Sequence, residues 1–386
     1  MRPEPVKTGN GSRRGSRNRL GLRSAGLLLF GKPVAYLRIL KQTFYRCADR
    51  GGLNDRLLES SWRSRRLLVL CYHGISLDDE HEWSPLYMPA ALFRQRLERI
   101  RKMGCTVLPL GAAVEMLYAG TLPARAVVIT FDDGFYDFYA KAWPHLLQFG
   151  FPATVYLSTY YSVHNVPVFD PMCSYVLWKG RGRRLHWPEL DIGPIILNPA
   201  SESRSCRQIK EMCLRKRLGG SDKNELLRAL AGRLCVDFDD LCARRVLYLM
   251  TPAEVQEIAA VGCDFQLHTH RHRVHRSRER MFQELIDNRE AIERVVPRRP
   301  THFCYPGGHW LPEFPTWFQE FGIESATTCR QALASSRCNR FLLPRLLDGP
   351  SISMEEFSAW LSGLAQFVPR KDYPFAEGQL VEEPPH

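Results

Sequence analysis

The run Val127-Val128-Ile129-Thr130-Phe131-Asp132-Asp133-Gly134 constrains this chain more than any other stretch. β-Branched apolar residues stop abruptly at two adjacent carboxylates and a glycine, the pattern of a buried strand that delivers acids to a pocket at its C-terminal end. Two carboxylates desolvated side by side cost several kcal/mol unless a cation neutralises them or one keeps its proton. The pair therefore points to a metal, a strong base, or both. The competing reading is a helix N-cap followed by an acidic first turn.

The same design recurs along the chain. Arg66 to Cys71 is an apolar run ending in Tyr72-His73-Gly74, Phe265-Gln266-Leu267 ends at His268, and His302-Phe303-Cys304-Tyr305 ends at Pro306-Gly307-Gly308. Helical spacing fills the intervals: Leu92, Phe93, Leu97 and Ile100, then residues 112–119, 138–149 and 279–296. Thr251-Pro252 is an N-cap followed by proline at the first helical position. Further alternation is predicted around Trp317 to Phe321, Ser325 to Thr328, Leu342 to Leu347 and Met354 to Leu364. Strands alternating with helices predict parallel strands in an α/β layer or barrel, with strand C-terminal ends converging on one face. Residues 163–245 break the rhythm and read as an insertion with helices at 207–217 and 222–235.

The net charge of +12 raises nucleic acid as a partner, but its placement argues against one. Residues 1–66 hold 16 Lys/Arg and 4 Asp/Glu, so the other 320 residues carry 37 of each sign. A neutral body lacks the basic groove that tracks phosphates. Residues 1–65 are read as a basic, partly disordered arm, with Leu27 to Arg46 as an amphipathic helix for anionic lipid or for packing on the body. Residues 66–365 are the folded domain and 366–386 a disordered tail. Twelve scattered cysteines without a C-x-x-C pair predict reduced thiols and a cytosolic setting. No segment approaches the ~20 apolar residues of a membrane span, and Ala25 to Phe30 is short for a signal-peptide core.

Polar clusters after four strands thus meet at one end: His73, Asp132-Asp133, His268-Thr269-His270-Arg271-His272 and Pro306-Gly307-Gly308. His268 and His272 have the spacing that lets two imidazoles bind one ion from a single helical turn. One carboxylate completes a His/His/Asp set, which leaves the other for proton chemistry.

The chain resembles the polysaccharide deacetylases, the NodB-homology or carbohydrate esterase family four proteins. Thr130-Phe131-Asp132-Asp133-Gly134 matches their T-F-D-D-G motif and His268 to His272 their H-[S/T]-x-x-H motif. Leu122-Pro123 and Pro152-Ala153-Thr154 match the flanks. The resemblance implies a distorted TIM-like (β/α)7 barrel with a helical insertion and a divalent metal, Zn²⁺ first. It makes Asp132 the base, Asp133, His268 and His272 the metal ligands, and Gly307 the backbone donor to the oxyanion. Cys304 stands where many members have the arginine that orients the base, and Arg345 is the candidate to replace it. A late L-x-H histidine is absent, whereas Tyr72-His73 matches the Y-H motif of the permuted poly-N-acetylglucosamine deacetylase-like branch and makes His73 the acid. Tyr305, Pro306, His309 and Trp310 are the candidates to contact substrate, Trp310 because an indole face can stack on a sugar ring.

The expected activity is hydrolytic removal of N-acetyl groups from N-acetylhexosamine in a polysaccharide or lipid-linked glycan. Peripheral contact of the arm with the inner face of an anionic membrane accompanies it. The alternatives are a deformylase or other deacylase of a lipid-linked sugar and a catalytically inactive carbohydrate-binding protein.

Overall fold

The computed structural model describes residues 32–369. Two compact units divide the chain, Met1–Phe44 and Tyr45–His386. The body therefore begins at Tyr45 rather than at 66. Arg63 shows why the preceding segment belongs to it: its guanidinium is fully buried and donates from Nε to Leu361 O (2.8 Å), from Nη1 to Arg66 O (2.6 Å) and from Nη2 to Ala126 O (3.1 Å). A buried cation spread over three carbonyls keeps its hydrogen bonds on leaving water. In the arm, a helix begins at Lys32 and carries Pro33 in its first turn, where a missing N–H costs nothing.

Seven parallel strands form the central sheet: β1 (Leu68–Tyr72), β2 (Ala126–Asp133), β3 (Thr154–Leu157), β4 (Asp264–Leu267), β5 (His302–Cys304), β6 (Ser325–Thr327) and β7 (Leu346–Leu347). Their order is β6-β5-β4-β3-β2-β1-β7, and the two-residue strand Thr106–Val107 pairs with the start of β2. The sheet curls until its ends meet. Leu343 forms a parallel bridge with Thr327 of β6, while Leu346 and Leu347 pair with Leu70 and Cys71 of β1. Segment 343–348 is thus the seam of the barrel, and Asp348 N–H donates to Cys71 O at its far end (3.1 Å).

Alternation along the strands separates two apolar layers. Leu68, Leu70, Tyr72, Val127, Ile129 and Phe131 pack with Phe93, Leu97 and Ile100 of the helix Ala90–Lys102. Leu67, Val69, Val128, Tyr156, Cys304 and Leu343 cluster on the opposite face with the helix Leu110–Ala119. Asp132 shares the parity of Val128, so its carboxylate sits at the C-terminal end of this second layer.

The insertion is more structured than its sequence suggested. A helix at Phe169–Lys179 and an antiparallel hairpin, Arg184–Trp187 with Ile192–Ile196, precede the helices Pro199–Arg215 and Gly220–Arg233. Arg- and Gly-rich composition masked them, but Tyr175, Leu177, Leu185, Ile209, Leu227 and Leu230 build a separate buried core. Beyond it, Thr251 caps the helix Pro252–Ala260 reciprocally with Glu254, as the Thr-Pro signal predicted.

Candidate active site

Strand β2 places the two aspartates. Neighbouring residues on a strand face opposite ways, but Asp133 leaves the extended conformation with φ 69°, and both carboxylates come within reach of His268. Gly134 follows with φ 83°, and a Cβ there would lie 2.3 Å from Leu157 Cδ1. The glycine of the motif therefore serves both the turn and the close packing on β3.

Asp132 is held by Arg345. Nη1 donates to Oδ1 at 2.6 Å and Nη2 to Oδ2 at 2.8 Å, a two-pronged clamp in which both residues are almost wholly buried. The same guanidinium donates from Nε to Thr328 O (3.1 Å), and its Nη2 lies 3.0 Å from Cys304 Sγ. The small thiol at 304 leaves the space that the guanidinium occupies. Burial alone would raise the Asp132 carboxyl, but the Arg345 charge and hydrogen bonds outweigh it and hold the pKa well below the usual carboxylate range. The thiols of Cys71 and Cys304 each lie 3.5 Å from Asp132 Oδ2. His73 Nε2 is 3.9 Å from the same oxygen. Burial draws this imidazole below its ordinary pKa, while Asp132 and Asp133 pull it back up.

Asp133 Oδ1 faces His268 Nε2 at 3.2 Å and His272 Nε2 at 3.1 Å. His268 Nδ1 lies 2.8 Å from Cys304 O, and a carbonyl only accepts, so Nδ1 carries a proton and Nε2 is the ring nitrogen turned to Asp133. Asp133 Oδ1 is buried without a hydrogen-bond donor. Lone pairs converging at this range need protons on the imidazoles or one cation between them. The donor set of two imidazoles and a carboxylate fits a divalent ion such as Zn²⁺.

The histidines do not lie on a helical turn, contrary to the spacing argument. Residues 268–277 form an irregular loop in which Thr269 (φ 61°) and His272 (φ 56°) are left-handed. Three hydrogen bonds shape it instead. Thr269 Oγ1 accepts from Arg273 N (3.0 Å), which folds the loop so that the two imidazole centroids lie 5.0 Å apart. Arg271 N and Nη1 bind Glu284 (2.7 and 2.8 Å), anchoring the loop to the helix Arg278–Glu293. His270 turns away, with Nδ1 2.8 Å from Thr159 Oγ1.

The loop at 306–308 contributes Gly307, whose φ of 62° and ψ of 9° break the turn. A Cβ on Gly307 would come within 2.9 Å of His309 Cδ2, so the imidazole lies against the α-carbon of a residue that is otherwise exposed. Tyr305 does not reach substrate as expected: its ring is fully buried and its hydroxyl donates to Phe341 O (2.9 Å). Pro306 is buried beside it, and Trp310 is half-buried against the main core.

Three positioning residues escaped the sequence reading. Asn288 accepts from His268 N (2.9 Å) and donates to Leu157 O (2.9 Å) and Thr159 Oγ1 (3.0 Å), linking β3, β4 and the helix behind them. Asp348 Oδ2 accepts from Tyr72 Oη and Arg96 Nε, each at 3.0 Å, and so fixes β1 just before His73. Asp137 accepts from Ile75 N (2.9 Å) just after it. A polar residue on the buried side of an amphipathic helix was the one signal available for Asn288.

Residues 220–326 match the sequence model of the family described as polysaccharide deacetylase. A 114-residue stretch, 29% of the chain, is 28% identical to the poly-β-1,6-N-acetyl-D-glucosamine N-deacetylase of Escherichia coli K12. A 103-residue stretch, 25% of the chain, is 31% identical to YxkH of Bacillus subtilis strain 168, which bears a polysaccharide deacetylase name. These alignments span 16% and 35% of those relatives' lengths. The Streptococcus pyogenes deacetylase PplD superposes with a TM-score of 0.51 at 18% identity, over 75% of this chain and 96% of PplD. A de-N-acetylase from Aggregatibacter actinomycetemcomitans superposes with a TM-score of 0.50 at 15% identity, over 76% and 99%. Both show the same curled parallel-sheet fold. The family match and the two curated relatives identify residues 220–326 as polysaccharide deacetylase sequence, and the two solved structures share the fold.

Proposed function

We infer that the protein is a metal-dependent hydrolase that removes N-acetyl groups from N-acetylhexosamine units of a polysaccharide. The observation that carries this reading is the division of labour between adjacent aspartates. Asp132 is clamped by a guanidinium, and Asp133 shares a point with two imidazoles. Asp133, His268 and His272 would hold the ion, which when bound polarises the acyl carbonyl and acidifies the attacking water.

The protein's own groups supply the remaining steps. Asp132, kept ionised and oriented by Arg345, accepts the proton of the attacking water. The exposed Gly307 backbone is the candidate donor to the oxyanion. His73, facing the base, gives a proton to the departing amine. An amide nitrogen leaves slowly as an anion, so this acid is as necessary as the base. Cys71 and Cys304 line the carboxylate with weakly polar sulfur and limit water around it.

Poly-N-acetylglucosamine is the first substrate to test, because the E. coli relative is named for it. A lipid-linked glycan is the second, and with it attachment of the basic arm to the cytoplasmic face of an anionic membrane. Among the described residues no helix is long and apolar enough to cross a membrane.

The deciding experiment measures acetate release from a panel of N-acetylated glycans after metal removal and after re-addition of Zn²⁺. Release that returns with metal and is lost in Asp132→Asn supports the reading. Undiminished release from the metal-free protein or from Asp132→Asn overturns it. Formate release from formylated sugars without acetate release would favour the deformylase alternative. Vesicle sedimentation with and without residues 1–46 tests the membrane contact.

A further inference from the structure

A second set of groups with metal-ligand chemistry stands beside Asp133, His268 and His272. Strand register builds it. Cys71 pairs with Thr130 and Tyr72 with Phe131, so Cys71 and His73, on one face of β1 and its continuation, flank Asp132 at the end of the adjacent strand. Cys71 Sγ lies 3.5 Å and His73 Nε2 3.9 Å from Asp132 Oδ2, and one ligand atom from each of the three falls within 4.8 Å of the others. A tetrahedral zinc ion, with bonds of about 2.3 Å to sulfur and about 2.0 Å to oxygen, holds a sulfur and an oxygen about 3.5 Å apart. Asp132 Oδ2 takes a hydrogen bond from Arg345 and, as a carboxylate oxygen, has a second lone pair to give. His73 Nδ1 is buried without a hydrogen-bond partner, so turning the ring toward an ion breaks no bond there. The set Asp132, His268 and Cys304 is less available. His268 spends Nδ1 on Cys304 O and turns Nε2 to Asp133, and the Cys304 sulfur sits 3.0 Å from Arg345 Nη2.

We propose that Cys71, His73 and Asp132 form an inhibitory site for a thiophilic divalent cation such as Zn²⁺, supplied in excess of the ion assigned to Asp133, His268 and His272. The ion enters past His73, the one partly exposed member of the set. As the bond from sulfur to metal forms, the Cys71 thiol gives its proton to solvent, and the thiolate charge offsets part of the charge that the ion brings. Thiolate and imidazole together select zinc over magnesium, calcium and manganese, which prefer oxygen ligands. The site follows from the geometry alone, while its effect rests on the proposed hydrolysis: one ion occupies the base and the acid together, and turnover stops.

The full-length reduced protein, freed of metal, is titrated with Co²⁺ and read by near-ultraviolet absorbance, where thiolate-to-cobalt charge transfer absorbs and the sulfur-free set of Asp133, His268 and His272 is silent. The expected result is a charge-transfer band that saturates with the second equivalent, is lost in Cys71→Ser and is kept in Cys304→Ser. Near-ultraviolet circular dichroism checks that each variant is folded. His73→Gln, at the exposed edge of the set, is a second route should Cys71→Ser not fold: it is expected to weaken binding of the ion that gives the band by at least about tenfold, the loss that even an outer-shell partner causes. Acetate release by the parent is expected to fall as a second equivalent of Zn²⁺ is added and to be unmoved by the same excess of Mg²⁺. Absence of the band, its survival in Cys71→Ser, its loss in Cys304→Ser, or unweakened binding in His73→Gln would overturn the site. Undiminished acetate release with the band saturated would overturn the inhibition. Where no acetate is released at one equivalent of Zn²⁺, the hydrolysis reading fails and the absorbance titration alone decides the site.

Discussion

Arg345 lies just before β7, a strand that does not pair with the β2 of Asp132, yet the two side chains meet in two parallel hydrogen bonds of 2.6 and 2.8 Å. Removing the cation leaves a buried carboxylate uncompensated, a loss of about 3–5 kcal/mol. Arg345→Ala is therefore expected to lower unfolding stability by that order in urea titration and to lower kcat by about 10²–10³. Arg345→Lys offers a point charge without the fork and is expected to recover stability better than kcat. Equal recovery of both would mean that charge alone, without orientation, suffices.

Cys304 and Arg345 share one volume, with Sγ 3.0 Å from Nη2. Placing an arginine at 304 beside the resident one overfills a closed core, so Cys304→Arg alone is expected to destabilise the fold. In an Arg345→Ala background the same substitution has both room and a carboxylate to bind. Acetate release by the double variant is expected to exceed that of Arg345→Ala. A double variant that folds, by near-ultraviolet circular dichroism, but shows no gain would refute exchangeability of the two positions.

Asn288→Leu keeps the volume of a side chain whose amide bonds three partners. It strands the His268 N–H and the Leu157 carbonyl, each at a cost of about 1–3 kcal/mol. Because His268 is thereby loosened, Zn²⁺ affinity measured by calorimetry is expected to fall about 10–100-fold. Unchanged affinity would show that the Cys304 carbonyl alone orients the ring.

His302 gives the fold a pH dependence separate from catalysis. It is 5% exposed, with Nδ1 2.9 Å from Ser325 Oγ, and burial, helped by the Arg340 charge, lowers its pKa to about 4. The unfolded chain takes up this proton near 6.5 and the folded chain only near 4, so in that window the unfolded state binds more protons. The stability it contributes is complete above pH 6.5 and is lost as pH falls toward 4, to a total of about 3 kcal/mol. His302→Gln is expected to flatten the slope of unfolding free energy against pH between those limits, measured in urea. An unaltered slope would assign the acid sensitivity to other groups.

The site was legible where chemistry is compressed into contiguous letters. Asp132-Asp133-Gly134 and His268 to His272 stand together in the chain because each occupies one strand end or one loop. Arg345 could be singled out because the position of Cys304 lacked a cation. Asn288 offered only a polar letter on the buried side of a helix, since its partners come from β3 and the segments after β3 and β4, and no periodicity records which groups it bonds. The helical-turn geometry for the histidines failed because i and i+4 spacing also suits a loop folded by Thr269 and left-handed residues. Tyr305 illustrates a related limit: adjacency to Pro306 and Gly307 did not reveal that its ring packs inward against Phe314 and Phe318. Leu342 to Leu347 read as part of the alternation, but the bridging of β6 and β1 by segment 343–348 depends on curvature that no local pattern encodes.

That seam has a bearing on biosynthesis. Asp133, His268 and His272 emerge from the ribosome before Arg345, so a nascent chain can bring these three together while Asp132 lacks its clamp. Only docking of one of the last strands brings the guanidinium to Asp132 and joins the two edges of the sheet. With Asp132 as the proposed base, hydrolytic competence becomes a late event in maturation. Turnover would report closure of the barrel directly, distinguishing finished molecules from those that stalled one strand short.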